Sequence, residues 1–271
     1  MDRYVVIGNP IGQSKSPRIH TLFAEITGQL IEYSAMLVER GSFQEDAGKF
    51  FAKGGKGANV TMPFKGDAFE FSDYLSPQAE KAGAVNTLGL DAQGKILGHN
   101  TDGIGLVTDI TVNHGGTLKD KHLLVLGAGG ATRGIIDPLI DQAPASLCIA
   151  NRTVSKAESL AELFSGDIPV SACGFSDLEG EQFDWIINAT AASMEGNVPE
   201  VPVNSVHAGT WCYDLMYATE PTPFCIWSKQ VGAEKVMDGL GMLVEQAAES
   251  FLIWRGIRPD TKEVIDALRN S

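Results

Sequence analysis

The segment from Leu123 to Thr132 constrains the fold of this chain more than any other part of it. An apolar run of leucine and valine ends abruptly at Gly127, and two alanines and two further glycines follow before Thr132. Such a run is typical of a buried strand, and glycine permits the tight turn needed to enter a helix directly afterwards. The sequence therefore predicts a strand at 121–126 and a helix at 130–141, the opening unit of a doubly wound α/β domain.

The same glycines predict a binding site for a dinucleotide. Gly127 provides the tight turn, Gly129 allows backbone N–H groups to approach a pyrophosphate at the positive end of the helix, and Gly130 adds clearance. Thr132 replaces the usual third glycine, so we expect slightly looser packing of helix on strand. The candidate loop comprises Gly127, Ala128, Gly129, Gly130 and Ala131. A tight turn without a ligand is the alternative, and the flanking strand and helix favour the dinucleotide.

The end of the next strand indicates which dinucleotide binds. The predicted strand 146–150 is followed by Asn151, Arg152 and Thr153, where NAD-binding domains usually carry an acid for the ribose hydroxyl. A guanidinium at this point suits the 2'-phosphate of NADP, and the neighbouring polar side chains can donate to phosphate oxygens. NADP is therefore preferred over NAD, with a solvated surface arginine as the alternative.

Strand and helix patterns alternate along the rest of the 271 residues, which predicts two α/β lobes. Further strands are predicted at 3–8, 31–37, 57–61, 85–90, 95–100, 146–150, 184–189 and 211–215. Further helices are predicted from Ser16 to the stop at Gly28, at 42–53, 64–70, 103–114, 155–164 and 239–255, and from about Thr261.

Composition excludes several classes of protein. The 34 acidic and 21 basic residues give a formal charge of -13, which disfavours nucleic acid as a partner. No apolar run reaches the roughly 18 residues of a membrane span, so we expect a cytoplasmic protein. The four cysteines have neither zinc-site nor disulfide-framework spacing, and we expect reduced thiols and no metal.

Polar residues of the N-terminal half predict a site for a small anionic molecule. Ser14 and Ser16 stand at a helix start, where hydroxyls and free N–H groups favour a carboxylate, although Ser16 alone reads as a helix cap. Elsewhere, polar residues stand at predicted strand ends, where ligands of α/β sheets bind. They are Asn59 and Thr61, Asn86 and Thr87, and Thr101 and Asp102. Taken singly, each of them could be an ordinary loop or turn residue.

Taken together, these motifs resemble the shikimate/quinate dehydrogenase family, in its NADP-dependent shikimate dehydrogenase form, over nearly the whole chain. The matching stretches are Gly8–Ile11, Ser14–Pro17, Asn59–Lys65, Ala82–Thr87, Gly98–Gly103, the glycine loop, Asn151–Thr153, and Asp238–Val244 with Gln246.

The resemblance implies a reversible, NADPH-dependent reduction of 3-dehydroshikimate to shikimate. It implies Lys65 and Asp102 as the catalytic pair, and further residues for the two ligands. Those for substrate are Ser14, Ser16, Asn59, Thr61, Asn86, Thr101, Tyr217 and Gln246. Those for NADP are the 127–131 loop, Asn151, Arg152, Thr153, Thr190, Leu215 and Gly239. It also implies a substrate domain at 1–102, with 239–271 packing back on it, and a Rossmann-like NADP domain at 103–238.

Two residues of the predicted helix 239–255 carry arguments of their own. Gln246 shares a face with Gly239, apart from the apolar stripe, so it is free to face a ligand, with a solvated glutamine as the alternative. Gly239 lacks a side chain and lets backbone approach the nicotinamide.

Other functions remain open at this point. A quinate dehydrogenase shares most of the motifs, a methylene-folate dehydrogenase shares the two-lobe plan, and a non-catalytic NADPH sensor shares the fold. The sequence is compatible with a homodimer but does not set the oligomeric state.

Overall fold

The computed structural model describes residues 1–166 and 168–270, and divides the chain into two compact units. Unit 1 comprises Met1–Gly105 and the chain from Leu243 onward, and unit 2 is Leu106–Met242. The boundaries predicted from the sequence, 102/103 and 238/239, lie a few residues before the boundaries in the structure, 105/106 and 242/243. Each unit has its own six-stranded sheet.

The sheet of unit 1 is mixed, with strand order β2-β1-β3-β5-β6-β4. Its strands are β1 Asp2–Gly8, β2 Ile31–Leu37, β3 Gly55–Val60, β4 Tyr74–Leu75, β5 Thr87–Leu90 and β6 Ile96–His99. Only β5 runs antiparallel to its two neighbours, β3 and β6. Because β3 and β6 therefore run in the same direction, their carboxyl ends and the beginning of β5 meet at one edge of the sheet.

Both faces of this sheet are covered, which β1 shows most clearly. Val5 and Ile7 contribute to one apolar cluster, whereas Tyr4 and Val6 belong to another on the opposite face. This alternation is the two-residue period of a strand, and the fully buried run is typical of a sheet with helices on both sides.

Ten α-helices are described, and the unit boundaries fall inside two of them. The helices of unit 1 are α1 Ser16–Thr27, α2 Phe43–Ala52, α3 Lys65–Phe71, α4 Pro77–Ala82 and α10 Lys262–Arg269; those of unit 2 are α6 Gly130–Ile140, α7 Val154–Leu163 and α8 Pro223–Gln230; those containing the boundaries are α5 Asp102–Thr108 and α9 Leu240–Arg255.

The sheet of unit 2 is entirely parallel, with strand order β12-β11-β10-β7-β8-β9. Its strands are β7 His122–Leu126, β8 Ser146–Ala150, β9 Val170–Cys173, β10 Trp185–Asn188, β11 Trp211–Asp214 and β12 Lys235–Met237. The strand order reverses beside β7, as in dinucleotide-binding α/β domains. The predicted α/β class and the Rossmann-like unit are thereby confirmed.

The structure also contains elements that the pattern analysis did not predict: β4, β9, β12, α4 and α8. Each is short, and their sequences carry too few periodic apolar positions to identify them. The helix predicted at 103–114 is not α-helical throughout, because Asp109–Asn113 forms a π-helix. Buried Asp109 accepts a 2.6 Å hydrogen bond from the Tyr213 hydroxyl on β11 there, a tertiary contact that sequence does not reveal.

In the part of the chain that the structure describes, no helix has the length and apolarity to cross a membrane. Among the same residues, no group of three or more metal-ligating side chains is close enough to hold an ion. The four cysteines are free thiols.

Candidate functional site

An ion pair between Lys65 and Asp102 stands at the sheet edge where β3 and β6 end. Lys65 begins α3 just after β3, and Asp102 begins α5 just after β6. Lys65 Nζ lies 2.5 Å from Asp102 Oδ2. The side chains are 27% and 12% exposed, so the pair is partly desolvated yet open to a ligand or to water. An ammonium held in this way can transfer a proton and stabilise a negative oxygen.

Asn86, just before β5, reaches the same carboxylate. Its Nδ2 donates to Asp102 Oδ1 at 2.8 Å and lies 3.3 Å from Gln246 Oε1. Its Oδ1 accepts from the backbone N–H of Thr101 at 2.9 Å. Because β5 runs antiparallel to β6, Asn86 at its beginning lies between Asp102, which follows β6, and Gln246, which lies on α9.

Thr101 and Gln246 connect the end of β6 to α9 within unit 1. The buried Thr101 hydroxyl donates to the Gln246 backbone carbonyl at 3.0 Å. Gln246 Nε2 donates to the Leu243 carbonyl at 2.8 Å, which turns Oε1 toward Asn86. The structure therefore brings Thr101, Gln246 and Asn86 together through hydrogen bonds.

Asn59 lies behind these groups and is almost completely buried. Its Oδ1 accepts from the Tyr33 hydroxyl at 2.7 Å, and its Nδ2 donates to Ser250 Oγ at 2.9 Å and approaches Thr87 Oγ1 at 3.2 Å. Both the oxygen and the nitrogen of the Asn59 amide therefore form hydrogen bonds within the protein.

The serines before α1 form a compact polar turn. Ser14 Oγ accepts from the Ser16 backbone N–H at 3.3 Å. Ser16 is buried, and it is the first residue of α1 rather than its cap, a position that Lys15 holds. Thr61 lies immediately after β3, and a β-carbon on Gly8 would come within 2.6 Å of the Thr61 methyl group. Glycine at position 8 is therefore what allows this close approach.

Tyr217 belongs to unit 2, after β11, and is half-buried, which raises the pKa of its hydroxyl. All of the other predicted substrate residues belong to unit 1.

The glycine loop of unit 2 has the geometry that a pyrophosphate requires. Gly127 has φ +103°, a left-handed conformation that favours glycine, and a β-carbon there would lie 3.1 Å from the Thr190 methyl group. Gly129 precedes α6 and, like Gly130, faces open space. The first N–H groups of α6 are therefore accessible to an anion.

At Thr132, where the sequence predicts slightly looser packing of helix on strand, the structure shows an additional hydrogen bond. Thr132 is completely buried, and its hydroxyl donates to the Gly127 carbonyl oxygen at 2.9 Å. A threonine at this place ties the helix to the turn, which a glycine could not do.

Arg152 and Asn151 line a cavity of about 520 Å³ at the end of β8, together with Phe175 and Thr190. The Asn151 amide donates to the Thr153 carbonyl at 2.8 Å and so fixes the turn into α7. The volume and the mixed lining suit part of a nucleotide.

A second cavity, of about 300 Å³, is lined by two cationic side chains that the sequence analysis did not identify. Arg133 of α6, Lys156 of α7 and Ala128 of the glycine loop all line it. The Arg133 Nε is buried and has no hydrogen-bond partner among the residues that the structure describes. A cation in the first turn of a helix opposes the helix dipole, and this was a signal in the sequence that an anion binds nearby. The donor set around the glycine loop therefore fits a dinucleotide that carries an additional phosphate.

The remaining predicted cofactor residues follow β10, β11 and β12. The Thr190 hydroxyl donates to Asn188 Oδ1 at 2.7 Å, and the Leu215 N–H donates to the Asn188 carbonyl at 2.9 Å. A β-carbon on Gly239 would lie 2.1 Å from the Leu215 carbonyl oxygen, so only glycine fits there.

Asp214 of β11 is a buried carboxylate that joins the end of β10 to the segments that follow β10 and β11 through hydrogen bonds. It accepts hydrogen bonds from Asn188, Ser193 and Thr222. Burial raises the pKa of Asp214, against the opposing effect of these hydrogen bonds.

Comparison with known protein families matches three parts of the chain. Residues 6–88 match the shikimate dehydrogenase substrate binding domain, residues 109–198 match shikimate / quinate 5-dehydrogenase, and residues 239–269 match the shikimate 5'-dehydrogenase C-terminal domain.

Individual relatives match over nearly the whole length. The shikimate dehydrogenase (NADP(+)) of Alkalilimnicola ehrlichii is 53% identical over 268 residues, covering 99% of this chain and 98% of the relative. The crystal structure of an Ael1 enzyme from Pseudomonas putida has a TM-score of 0.95 at 42% identity, covering 99% of this chain and 98% of that one. Shikimate 5-dehydrogenase from Thermus thermophilus, solved with NADP(H) and shikimate, has a TM-score of 0.88 at 30% identity, covering 100% and 99%.

Identity of this extent, together with family matches in both units, settles the membership that the motifs indicated. This chain belongs to the shikimate dehydrogenase family.

Proposed function

We propose that this protein catalyses the NADP-linked, reversible interconversion of 3-dehydroshikimate and shikimate. The observation that carries the proposal is the partly exposed Lys65–Asp102 ion pair, with the Asn86 and Gln246 amides beside it. Relatives named as NADP-dependent shikimate dehydrogenases, about half identical over the full length, support the same activity.

Reduction of a ketone adds a hydride to carbon and a proton to oxygen. NADPH, when bound, supplies the hydride. Negative charge develops on the carbonyl oxygen, and Lys65 stabilises it and donates the proton. In the oxidation direction Lys65 accepts the proton from the hydroxyl. Its partial exposure lets it exchange that proton with water.

Asp102 has two roles in this proposal. Its Oδ2 holds the Lys65 ammonium, and its Oδ1 is fixed by the Asn86 amide at 2.8 Å. A carboxylate fixed on both sides cannot rotate away, so the ammonium keeps one position.

The polar residues around the pair would recognise the substrate. We assign Ser14 and Ser16 to the carboxylate, since hydroxyls at a helix start suit an anion. The remaining ligands of the ring hydroxyls are Thr61, Asn86, Thr101 and Gln246.

The two units then have separate tasks. Unit 1 would bind the substrate and carry out proton transfer. Unit 2 would hold NADP through the glycine loop, Asn151, Arg152 and Thr153, with Thr190, Leu215 and Gly239 at the nicotinamide end. The residues that follow β8 include no acid to bind a ribose hydroxyl, and the cations Arg133 and Lys156 line a cavity at the glycine loop. Both observations support NADP over NAD as the cofactor.

The substitution Lys65→Met tests the proposal. We expect turnover of shikimate, followed by NADPH absorbance, to fall roughly 100- to 10,000-fold, because the proton donor is lost. Shikimate binding should persist. The matched control is Lys56→Met, at an exposed lysine of β3. Turnover of Lys65→Met close to that of the parent would contradict the catalytic assignment.

Substrate and cofactor panels distinguish the alternatives. Shikimate and quinate are each assayed with NADP and with NAD, and the shikimate–NADP pair should give the highest kcat/KM. Tight NADPH binding without turnover of any of these acids would identify a sensor instead, and folate turnover would identify a methylene-folate dehydrogenase.

Location and assembly belong to the same proposal. A biosynthetic oxidoreductase of this kind would act in the cytoplasm. Light scattering during size-exclusion chromatography tests whether the chain forms a homodimer.

A further inference from the structure

A buried row of polar side chains runs through unit 1 toward the Lys65–Asp102 pair. We call it the polar relay; its members are Tyr33, Asn59, Ser250, Thr87 and Asn86. Thr87 and Ser250 are completely buried, and Asn59 and Asn86 nearly so. Buried polar groups destabilise a fold unless they are hydrogen-bonded, and here every member is bonded to another.

The direction of the relay is set at its far end by Asn59. Its Oδ1 can only accept, so the Tyr33 hydroxyl donates to it at 2.7 Å. His20 Nε2 also lies 3.1 Å from this oxygen, while His20 Nδ1 is buried without a partner. The proton of the neutral ring therefore resides on Nε2. With both donors on Oδ1, the Nδ2 of Asn59 must face the opposite way.

The next step leads from Asn59 to Thr87. Asn59 Nδ2 reaches Thr87 Oγ1 directly at 3.2 Å, and also Ser250 Oγ at 2.9 Å, which lies 2.7 Å from Thr87 Oγ1. Ser250 has a second acceptor in the Gln246 carbonyl at 3.0 Å. The Asn59 amide therefore donates to Thr87 Oγ1 directly, whichever acceptor the Ser250 hydroxyl takes.

Thr87 then passes its own hydrogen forward. Its hydroxyl lies 2.9 Å from Asn86 Oδ1, an atom that only accepts, so Thr87 donates. The Thr101 N–H binds the same oxygen at 2.9 Å. Two donors on Oδ1 fix the Asn86 amide, so that Nδ2 points at Asp102. In the reverse orientation the amide oxygen of Asn86 would face the carboxylate of Asp102, and neither group could donate a hydrogen bond to the other.

We propose that Thr87 is a positioning residue, whose hydroxyl links Asn59 to Asn86 and so holds the Asn86 amide on Asp102 in the geometry that proton transfer requires. The proposal rests on the proposed function of the Lys65–Asp102 pair. Thr87 itself touches neither member of that pair, and it acts through Asn86.

The substitution Thr87→Val tests this, because valine keeps the shape and removes the hydroxyl. We expect kcat for shikimate oxidation to fall about 10-fold, with the KM for shikimate changed less than about 3-fold, since the fixed position of Asp102 is lost while Ser14, Ser16, Thr61, Thr101 and Gln246 still bind the substrate. Thr87→Ser restores the hydroxyl and should restore most of kcat. Ser250→Ala should have a smaller effect, because Asn59 still reaches Thr87.

Thr210→Val is the matched control for the loss of a buried hydroxyl. Thr210 is completely buried in unit 2, and its hydroxyl bonds the Phe183 carbonyl and the His207 N–H. The Thr210→Val substitution should lower the free energy of unfolding and leave kcat unchanged. If Thr87→Val does not fold, Thr87→Ala gives the same test with the same expected loss of kcat.

The outcomes separate the two proposals. A parent protein that does not oxidise shikimate overturns the proposed function. An active parent whose Lys65→Met variant is inactive, but whose Thr87→Val or Thr87→Ala variant keeps the parent's kcat, overturns only the role of Thr87. A loss in Thr87→Val that serine does not restore, or that Thr210→Val shares, also overturns it.

Discussion

The hydroxyl of Thr132 donates a hydrogen bond of 2.9 Å to the carbonyl oxygen of Gly127, which joins the first turn of α6 to the left-handed turn that ends β7. The accessible N–H groups of the loop lie between these two residues. The bond therefore fixes the part of unit 2 that would face a pyrophosphate.

Removal of this bond should weaken both the fold and cofactor binding. For Thr132→Val we expect a loss of about 1 kcal/mol in the free energy of unfolding and a higher Kd for NADPH, because the turn becomes free to move. Urea unfolding and fluorescence titration measure the two effects. The control is Thr111→Val, whose hydroxyl bonds only the helical Val107 carbonyl. Unchanged NADPH affinity in Thr132→Val would show that the bond does not shape the site.

The charge at the end of β8 should decide between the two nicotinamide dinucleotides. For Arg152→Asp we expect NADPH binding to weaken far more than NADH binding, because an acid repels the 2'-phosphate and can accept from a ribose hydroxyl. Isothermal titration with each cofactor measures this. Arg40→Asp, at an exposed arginine of unit 1, makes the same change in net charge and should affect neither. Equal losses for NADPH and NADH would contradict the assignment.

Acid should destabilise unit 1 through His20. Burial lowers the pKa of His20 to about 3, against a side-chain hydrogen bond with Asn59 that raises it, whereas the unfolded value is 6.5. The unfolded chain therefore binds the proton first, and stability is lost as the pH falls below 6.5. At pH 4 this loss amounts to about 3 kcal/mol relative to neutral pH.

The substitution His20→Gln should flatten this dependence while keeping a donor for Asn59. Unfolding free energies of both proteins between pH 4 and pH 7 measure the difference. His122→Gln, at an exposed histidine, should keep the parent's slope. Parallel curves for the parent and His20→Gln would mean that His20 does not carry the effect.

The ion pair of Arg258 with buried Glu245 should stabilise α9. Arg258 donates to Glu245 Oε2 at 2.7 Å, and Thr261 donates to Oε1 at 2.6 Å. Arg258→Ala removes this ion pair, and because the arginine is one-third exposed we expect a cost of about 2 kcal/mol, less than for a fully buried pair. Thermal unfolding measures this.

The exposed pair Lys262–Asp266 provides the comparison for Arg258. Lys262→Ala should cost much less than Arg258→Ala, since solvent screens such pairs. A similar small cost for Arg258→Ala would contradict a special role for the buried carboxylate.

Much of the fold could be predicted because its elements have strong local signals. The apolar run before Gly127 and the amphipathic pattern of α1 are complete within single segments, and the structure confirms both. The short strand Val170–Cys173 lacks such a signal, since its position depends on pairing with β8 rather than on its own four residues.

The candidate site was predictable as a set of residues but not as a set of contacts. Asn59 and Thr87 are both polar residues at strand ends, and nothing in the sequence distinguishes an amide that faces a ligand from one that is fully bonded inside the protein. The structure shows that Asn59 is of the second kind. Ser250 carried one signal, its position four residues after Gln246 on the same helix face.

The sequence by itself determined the α/β class and the glycine turn between β7 and α6, because short-range periodicity and glycine conformations are local properties of the chain. Only the tertiary structure decided that Lys65 meets Asp102, which residue holds Asn86, and how Thr132 closes its turn. Those contacts join residues far apart in sequence, or depend on which way a single hydroxyl or amide points. Such orientations follow from the packing of whole elements against one another, which no local pattern encodes.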